Sequence, residues 1–395
     1  MRYTLLILGL LLTQPVVAAS LRTILDQAWE NSPQAQTLEA RRAESDAQTI
    51  AANSLLPGTP AVILGHRGDQ LNSNAGKREW EVGIALPIWL PGQRDARQRQ
   101  AQAGKDSLEA NIRALRLKLA GELREAIWHV RQAEAQTRLD EEHALTAKKL
   151  AEDVARRVRA GELAKTDLNL AQNEWRTAQA AVLQGRNRLL QAQQAYATLT
   201  GMTALPDDIA ESAQTGYLPD DHPLLEEARQ AIEAAQAQVR VVSNSSRDNP
   251  EVELSTRRER GNLSDPYAGT VAISLRLPLS TEARNLPLIS VAQTALTGAH
   301  SEYTRVRFTL EYQRLQAGQA LQAAGQLLDL ARQQRAAARE NLDLIQKSFN
   351  LGESDLFTLL RTRAASFEAE QACSQQEIAR ALASARLNQV LGVLP

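Results

Sequence analysis

The sequence predicts a mainly α-helical chain with a small β part, organised as duplicated long-helix hairpins. Three observations predict it. The composition is helical: 43% of the 395 residues are hydrophobic but only 4% are aromatic, the balance of long helices and coiled coils. The chain repeats itself: Gly161-Glu162 recurs 191 positions later as Gly352-Glu353, and Pro87, Leu119, Leu168 and Gly201 keep the same offset with Pro278, Leu310, Leu359 and Gly392. The hydrophobic period also changes within each half, from helical spacing to strict alternation and back. Upstream the offset is 190, pairing Pro33 with Pro223 and Pro60 with Pro250. A constant offset that includes Gly and Pro over such a distance marks an internal duplication. The first repeat is assigned to 20–210 and the second to 211–395, joined near Pro206 and Pro219.

The start of the chain reads as an export signal. A positive Met1-Arg2, an apolar run from Leu5 to Leu12 and small residues at Val17-Ala18-Ala19 precede Ser20. This is the pattern of a cleaved secretory leader, assigned to 1–19, with cleavage after Ala18 or Ala19. No cysteine lies near that point, so an N-terminal lipoprotein anchor is not expected. The mature chain is expected outside the cytoplasm.

In the first repeat, Asn31-Ser32-Pro33 signals a helix start, and the Ala-rich stretch to Ser54 is helical. Leu56-Pro57-Gly58-Thr59-Pro60 breaks it. A β-hairpin follows at about 60–90. Val62 and Leu64 share one face of its first strand, and Gly68 to Gly76 is turn material. In its second strand Trp80, Val82, Ile84, Leu86 and Ile88 alternate with Glu79, Glu81, Gly83, Ala85 and Pro87. The second repeat has its hairpin at about 250–280, where Val271, Ile273, Leu275, Leu277 and Leu279 alternate with Ala272, Ser274, Arg276 and Pro278. Strands of about ten residues, apolar on one face and small or charged on the other, have the pattern of an outer-membrane β-barrel. That pattern assigns Trp80, Val82, Ile84, Leu86, Val271, Ile273 and Leu275 to lipid contact. A half-buried hairpin on a water-soluble domain is the plainer alternative.

A long helix follows each hairpin. Residues 93–159 contain no proline, and 282–350 contain one, Pro287, near the start. At 1.5 Å per residue each helix would be roughly 100 Å long. Leu108, Ile112, Leu115, Leu119, Leu123, Ile127 and Val130 step by three and four, the narrow stripe of a coiled coil. Gly161 and Gly352 end the long helices, as glycines past a helix C-terminus do. Return helices follow at 166–200 and 355–391.

The remaining composition excludes function classes. Lys and Arg number 45 against 46 Asp and Glu, without the basic excess of a nucleic-acid binder. One cysteine, Cys373, excludes internal disulfides and paired-cysteine zinc sites; it reads as a packed, inert thiol. No stretch of 18 or more apolar residues exists, so no membrane-spanning helix is expected after the leader. His66, His129, His143, His222 and His300 lack metal-ligand spacing and read as solvated helix or surface residues. Nucleotide-binding and nucleophile-elbow motifs are missing, so neither catalysis nor a cofactor or bound metal is expected.

With the duplicated plan in view, the chain resembles the TolC family of outer-membrane efflux channels. The resemblance covers the whole mature chain and is carried by Arg159-Ala160-Gly161-Glu162-Leu163-Ala164-Lys165-Thr166-Asp167-Leu168 and Asn350-Leu351-Gly352-Glu353-Ser354-Asp355-Leu356. The opening from Ser20 to Pro33 is similar to the family's start. Leu86-Pro87-Ile88-Trp89-Leu90-Pro91-Gly92-Gln93-Arg94 resembles the heavy-metal-efflux, CzcC-type branch, although Pro91 and Gln93 stand where that branch usually has Gly and Lys. The resemblance implies a homotrimer in outer-membrane lipid, with four strands per chain in one twelve-stranded barrel and the long helices forming a periplasmic tunnel. It implies two partners, a periplasmic adaptor and an inner-membrane pump, and a passive export duct for metal cations or small toxic molecules. In such a trimer, Gly161, Glu162, Gly352 and Glu353 form far turns suited to adaptor docking. Asp167 and Asp355 are either pore-entrance charges or helix caps. The same architecture serves type I protein secretion, and a non-channel periplasmic coiled-coil scaffold is the rival of another class.

Overall fold

The structure, a computed structural model, describes residues 20–206, 209–214 and 216–395. The expected export signal lies outside the described residues. Eleven elements follow in chain order among those described. The first group is α1 (Leu21–Asn31), α2 (Pro33–Asn53), β1 (Ala61–Gly68), β2 (Arg78–Pro87), α3 (Gln93–Arg159) and α4 (Lys165–Thr200). The second is α5 (Pro223–Asn244), β3 (Glu251–Arg260), β4 (Ala268–Arg276), α6 (Glu282–Leu351) and α7 (Leu356–Val390). The protein is mainly helical with a small sheet. The two stretches have the same order, apart from the extra opening helix α1.

Local chemistry explains the boundaries. Ser20 caps α1 by accepting from the Thr23 amide at 3.2 Å, and Ser32 does the same for α2 from Ala35 at 3.2 Å, with Pro33 at the first helical position. His222 caps α5 through its ring, accepting from the Leu224 amide at 3.1 Å, again just ahead of a proline. Pro287 stands inside α6 as its sixth residue, where its missing N–H forgoes one intrahelical hydrogen bond, the one to the Ala283 carbonyl.

The chain divides into two compact units, each drawing on both halves of the sequence. The helical unit contains residues up to Ala35, Arg116–Leu218 and Tyr312–Pro395. Its main core is Ile24, Leu25 and Ala28 of α1 against Leu119, Ala120, Leu123, Ile127 and Val130 of α3, closed by Tyr196 of α4. Apart from Ala120, the α3 positions belong to the stripe legible in the sequence. A second cluster joins Leu150, Ala151 and Val154 of α3, Ala171 of α4, Phe349 of α6, and Leu356 and Leu359 of α7. The ends of both long helices and the starts of both return helices therefore share one core.

The same unit holds a buried polar cluster that sequence periodicity does not announce. The Arg124 guanidinium, 3% exposed, donates to both carboxylate oxygens of Glu211 at 2.7 and 2.6 Å, to Gln389 at 2.5 Å and to the Val393 carbonyl at 3.0 Å. Asn388 donates to Glu211 and to the Ser212 carbonyl and accepts from the Gln214 amide at 2.8 Å. Gln389 donates to the Leu117 carbonyl at 2.7 Å. These bonds tie the linker after α4 and the end of α7 to α3.

The sheet unit contains Gln36–Leu115 and Pro219–Glu311. Its organising polar residue is Gln93, 4% exposed. The Gln93 side-chain oxygen accepts from the Leu90 amide at 3.1 Å and from Asn249 at 2.6 Å, and its amide donates to Ser245 at 3.3 Å. Asn249 also donates to the Ile88 carbonyl at 2.9 Å. The exit of β2, the start of α3 and the entrance to β3 are thus held together.

Removing Glu211 tests the buried cluster. Glu211→Ala leaves Arg124 buried without its counter-charge and should cost about 3–5 kcal/mol. Replacing Arg124 by Met and Glu211 by Leu together should recover most of it. The denaturation midpoint in detergent, followed by far-UV circular dichroism, checks both; a loss below about 1 kcal/mol in the single variant would show the ion pair to be dispensable.

Candidate functional site

The candidate site has two parts: a two-faced sheet and a pair of helical turns. The sheet order is β1-β2-β3-β4, antiparallel throughout. Directly opposed residues of an antiparallel pair project to the same face, and successive residues alternate. The registers Val62↔Ile84, Ile84↔Leu254 and Leu254↔Ile273 therefore make one apolar row across all four strands. Leu64↔Val82, Val82↔Thr256 and Thr256↔Val271 make the next, and Leu86↔Val252 and Val252↔Leu275 a third. The row residues Val62, Ile84, Leu254 and Ile273 are 68%, 45%, 46% and 76% exposed. Trp80, Val82, Leu86, Val271 and Leu275 are exposed as well. All seven strand residues singled out in the sequence lie on this uncovered face.

The other face is ionic. Arg257 pairs with Glu79 at 3.0 Å and Glu81 at 3.4 Å, Arg67 pairs with Glu79 at 3.6 Å, and Ser274 donates to Glu253 at 3.1 Å. At the edges, β1 and β4 each have one side without a strand partner among the described residues.

Two tryptophans fall near opposite ends of β2 and behave differently. Trp80 lies on the apolar face with its ring 4.0 Å from that of His66. Trp89 falls past the strand, half-buried, and donates to the Ser54 carbonyl at 3.3 Å.

The helical turns have matching geometry. After α3, the Glu162 amide donates to the Arg157 carbonyl at 2.9 Å and the Gly161 amide to Val158 at 3.1 Å. After α6, Glu353 donates to Ser348 at 2.9 Å and Gly352 to Phe349 at 3.1 Å. Both are the Schellman arrangement, which needs a left-handed residue; Gly161 has φ +82° and Gly352 φ +79°. A Cβ at either position would meet nothing within 4 Å, so backbone conformation rather than space requires glycine. Asp355 caps α7, accepting from the Thr358 amide at 2.7 Å. The Thr358 side chain and amide hold its carboxyl below the ordinary value. Asp167 reaches back to accept from the Ala164 amide at 3.1 Å. Both aspartates are caps, while Glu162 and Glu353 are exposed and form no ion pair among the described residues.

The expectation of solvated histidines needs correction at two positions. His143 packs on Phe367 with ring centroids 4.2 Å apart and lies 3.4 Å from Glu174; burial pushes its pKa down despite Glu174 and Asp140. His222 is buried as the α5 cap. Helical period reads which face a residue occupies but not whether another helix covers that face. Cys373 is buried against Leu328 and Ala331. Among the described residues, no group of three or more His, Cys, Asp or Glu side chains could hold a metal, and no helix is long and apolar enough to cross a membrane.

Comparison with known proteins gives this geometry a context. The cobalt-zinc-cadmium resistance protein CzcC of Cupriavidus metallidurans is 25% identical over 248 residues, 60% of this chain and 58% of that protein; the match thus spans less than two thirds of that relative. The solved structure of CusC superposes with a TM-score of 0.78 at 16% identity, covering 95% of this chain and 93% of that one. The open-state outer-membrane channel MtrE of Neisseria gonorrhoeae gives 0.74 at 21% identity, covering 95% and 89%. At such identities the structures share the fold. The family model described as outer membrane efflux protein matches residues 24–202 and again 219–393, most of the sequence and both of its halves. The chain therefore belongs to the outer membrane efflux protein family.

Proposed function

We propose that the chain is one subunit of a trimeric outer-membrane duct, a passive export path served by an inner-membrane pump and a periplasmic adaptor. The observation that carries this reading is the sheet. Among the described residues its apolar face is continuous across four strands and uncovered, its other face is ionic, and both of its edges are open. Lipid satisfies an apolar face but leaves an unpaired strand edge costing several kcal/mol per exposed backbone group. Closing β4 of one copy on β1 of the next removes every edge, and three copies give twelve strands. The ionic face then lines water. The duplicated halves, 20–210 and 211–395, each supply one hairpin and one helical pair, and 1–19 serves as the export signal.

The two glycine turns are the far, periplasmic tip. The cluster of Leu150, Val154, Phe349 and Leu356 draws them to one end of the helical unit. Three copies present six similar turns to an adaptor ring. Asp167 and Asp355 act as caps there, which leaves Glu162 and Glu353 as the charges at the entrance. Metal cations are the favoured substrate class, because the relative named above is a cobalt-zinc-cadmium resistance protein and acidic rings attract cations.

Arginine scanning tests the sheet. Ile84→Arg or Ile273→Arg should cost about 2–4 kcal/mol of barrel stability near the midplane, whereas Ala85→Arg or Ala272→Arg should be tolerated. Equal damage in both series, read as the heat stability of the trimer band on gels, would sink the membrane assignment.

At the turns, Gly161→Val and Gly352→Val should leave trimer yield unchanged while abolishing metal resistance in cells and tip crosslinking to the adaptor. Full resistance from both variants would refute docking at these turns.

The Asp355 cap carries a pH sign. Its folded pKa lies below the ordinary 3.8, so its stabilisation is complete above that value and is lost as pH falls through the folded pKa. The Thr358 amide should be protected from hydrogen exchange at neutral pH. Correcting for intrinsic exchange rates, that protection should fall as pH drops below 3.8 and should already be lost at neutral pH in Asp355→Ala, which removes the acceptor.

A further inference from the structure

The apolar face of the sheet ends in a cationic rim. Following the registers toward the hairpin turns, the row after Leu64, Val82, Thr256 and Val271 is His66↔Trp80↔Arg258, and the next is Gly68↔Arg78↔Arg260. Arg78, Arg258 and Arg260 thus project from the same face as the apolar rows. Tyr267 joins them, its ring centroid 5.3 Å from the Arg258 guanidinium carbon and 5.1 Å from that of Arg260. The strand carboxylates lie on the opposite face, where Glu79 and Glu81 are taken by Arg257. In the turns, Asp69 accepts from Ser73 and the Ala75 amide, and Asp265 accepts from Asn262. Among the described residues none of the three arginines has an ion-pair partner. The Arg260 Nε donates to the Gly76 carbonyl at 3.2 Å.

We infer that Arg78, Arg258, Arg260 and Tyr267 form a docking surface for the phosphate-bearing headgroups of the surrounding lipid. This rests on the membrane reading of the sheet. Guanidinium forks match phosphate geometry and stack on aromatic rings. Here they stand just past the apolar rows, at the height where headgroups begin, in the belt where tryptophan and tyrosine are favoured. Three positive charges without protein counter-charges among the described residues, on a face whose other strand residues are uncharged and, apart from Thr256, apolar or aromatic, complement an anionic lipid surface. A solvated rim facing a water-filled lumen would sit on the other side of the sheet.

The test titrates the purified trimer in detergent with diphosphorylated lipid A and with its fully dephosphorylated counterpart, counting bound lipid by native mass spectrometry. The wild-type protein should prefer the phosphorylated lipid. Replacing all three arginines by Gln should weaken that binding roughly a hundredfold, at about fivefold per charge near an anionic lipid surface, and leave the dephosphorylated lipid unaffected. Arg276→Gln, at the other end of β4 on the ionic face, should change neither. Equal binding of the two lipids, or full binding by the triple variant, overturns the inference. Displacement by inorganic phosphate at equal concentration also overturns it, since the surface would then be a free-anion site. A wild-type protein that fails to insert into phosphatidylcholine vesicles removes the membrane reading itself. Insertion without headgroup preference removes only the rim.

Discussion

Antiparallel pairing of β2 with β3 is the constraint on which the sheet depends. These strands come from different halves of the chain, and nothing local brings them together. Their register, with Ile84 opposite Leu254 and Val82 opposite Thr256, decides that both hairpins turn their apolar residues to one side. Because side chains alternate with a period of two, a slip of one residue would set Leu254 against Ala85 and mix the faces. Asn249 and Gln93 stand at the end of this pairing: Asn249 binds the Ile88 carbonyl and the Gln93 side chain, while the Ile88 amide donates to the Pro250 carbonyl at 2.8 Å. The polar clamp and the apolar register thus agree on one alignment.

The helical unit solves a different problem. A single pair of long helices buries too narrow a stripe to stand alone, so the two larger cores each draw on at least three helices. Near the turns, α3, α4, α6 and α7 share one cluster, reinforced by Arg157 over the Phe349 ring at 5.1 Å. Elsewhere the Arg124 cluster uses the linker after α4 and the end of α7 as structural parts. A buried guanidinium with four acceptor atoms in place is satisfied, and removing one partner exposes the cost of burying the charge.

The glycines that terminate helices fall into two physical kinds. At Gly201 the left-handed φ of +73° coincides with close packing, since a Cβ would come within 2.6 Å of the Asn31 amide nitrogen. At Gly161 and Gly352 the same backbone conformation occurs in open space. The turns are built tightly by backbone hydrogen bonds, and a Cβ at either glycine would meet nothing within 4 Å among the described residues.

Period alone made much of this legible. The switch from helical spacing to alternation marked both hairpins, and the glycines at 161 and 352 marked the ends of the long helices, because these signals depend on residues adjacent in sequence. Alternation also separated Ile84 from Ala85 before any pairing was known. What sequence could not supply was adjacency. It left Asp167 and Asp355 between caps and entrance charges; the structure adds that both make capping contacts, with Ala164 and Thr358. It assigned His143 and His222 to solvent, because covering neighbours such as Phe367 come from distant helices. It passed over Arg124 and Glu211, 87 residues apart, and over the shared face of Arg78, Arg258 and Arg260. Sequence by itself determined which residues alternate, repeat and terminate. Only tertiary structure decided which of them meet, because cross-strand register and helix–helix burial are set between segments separated by tens to hundreds of residues.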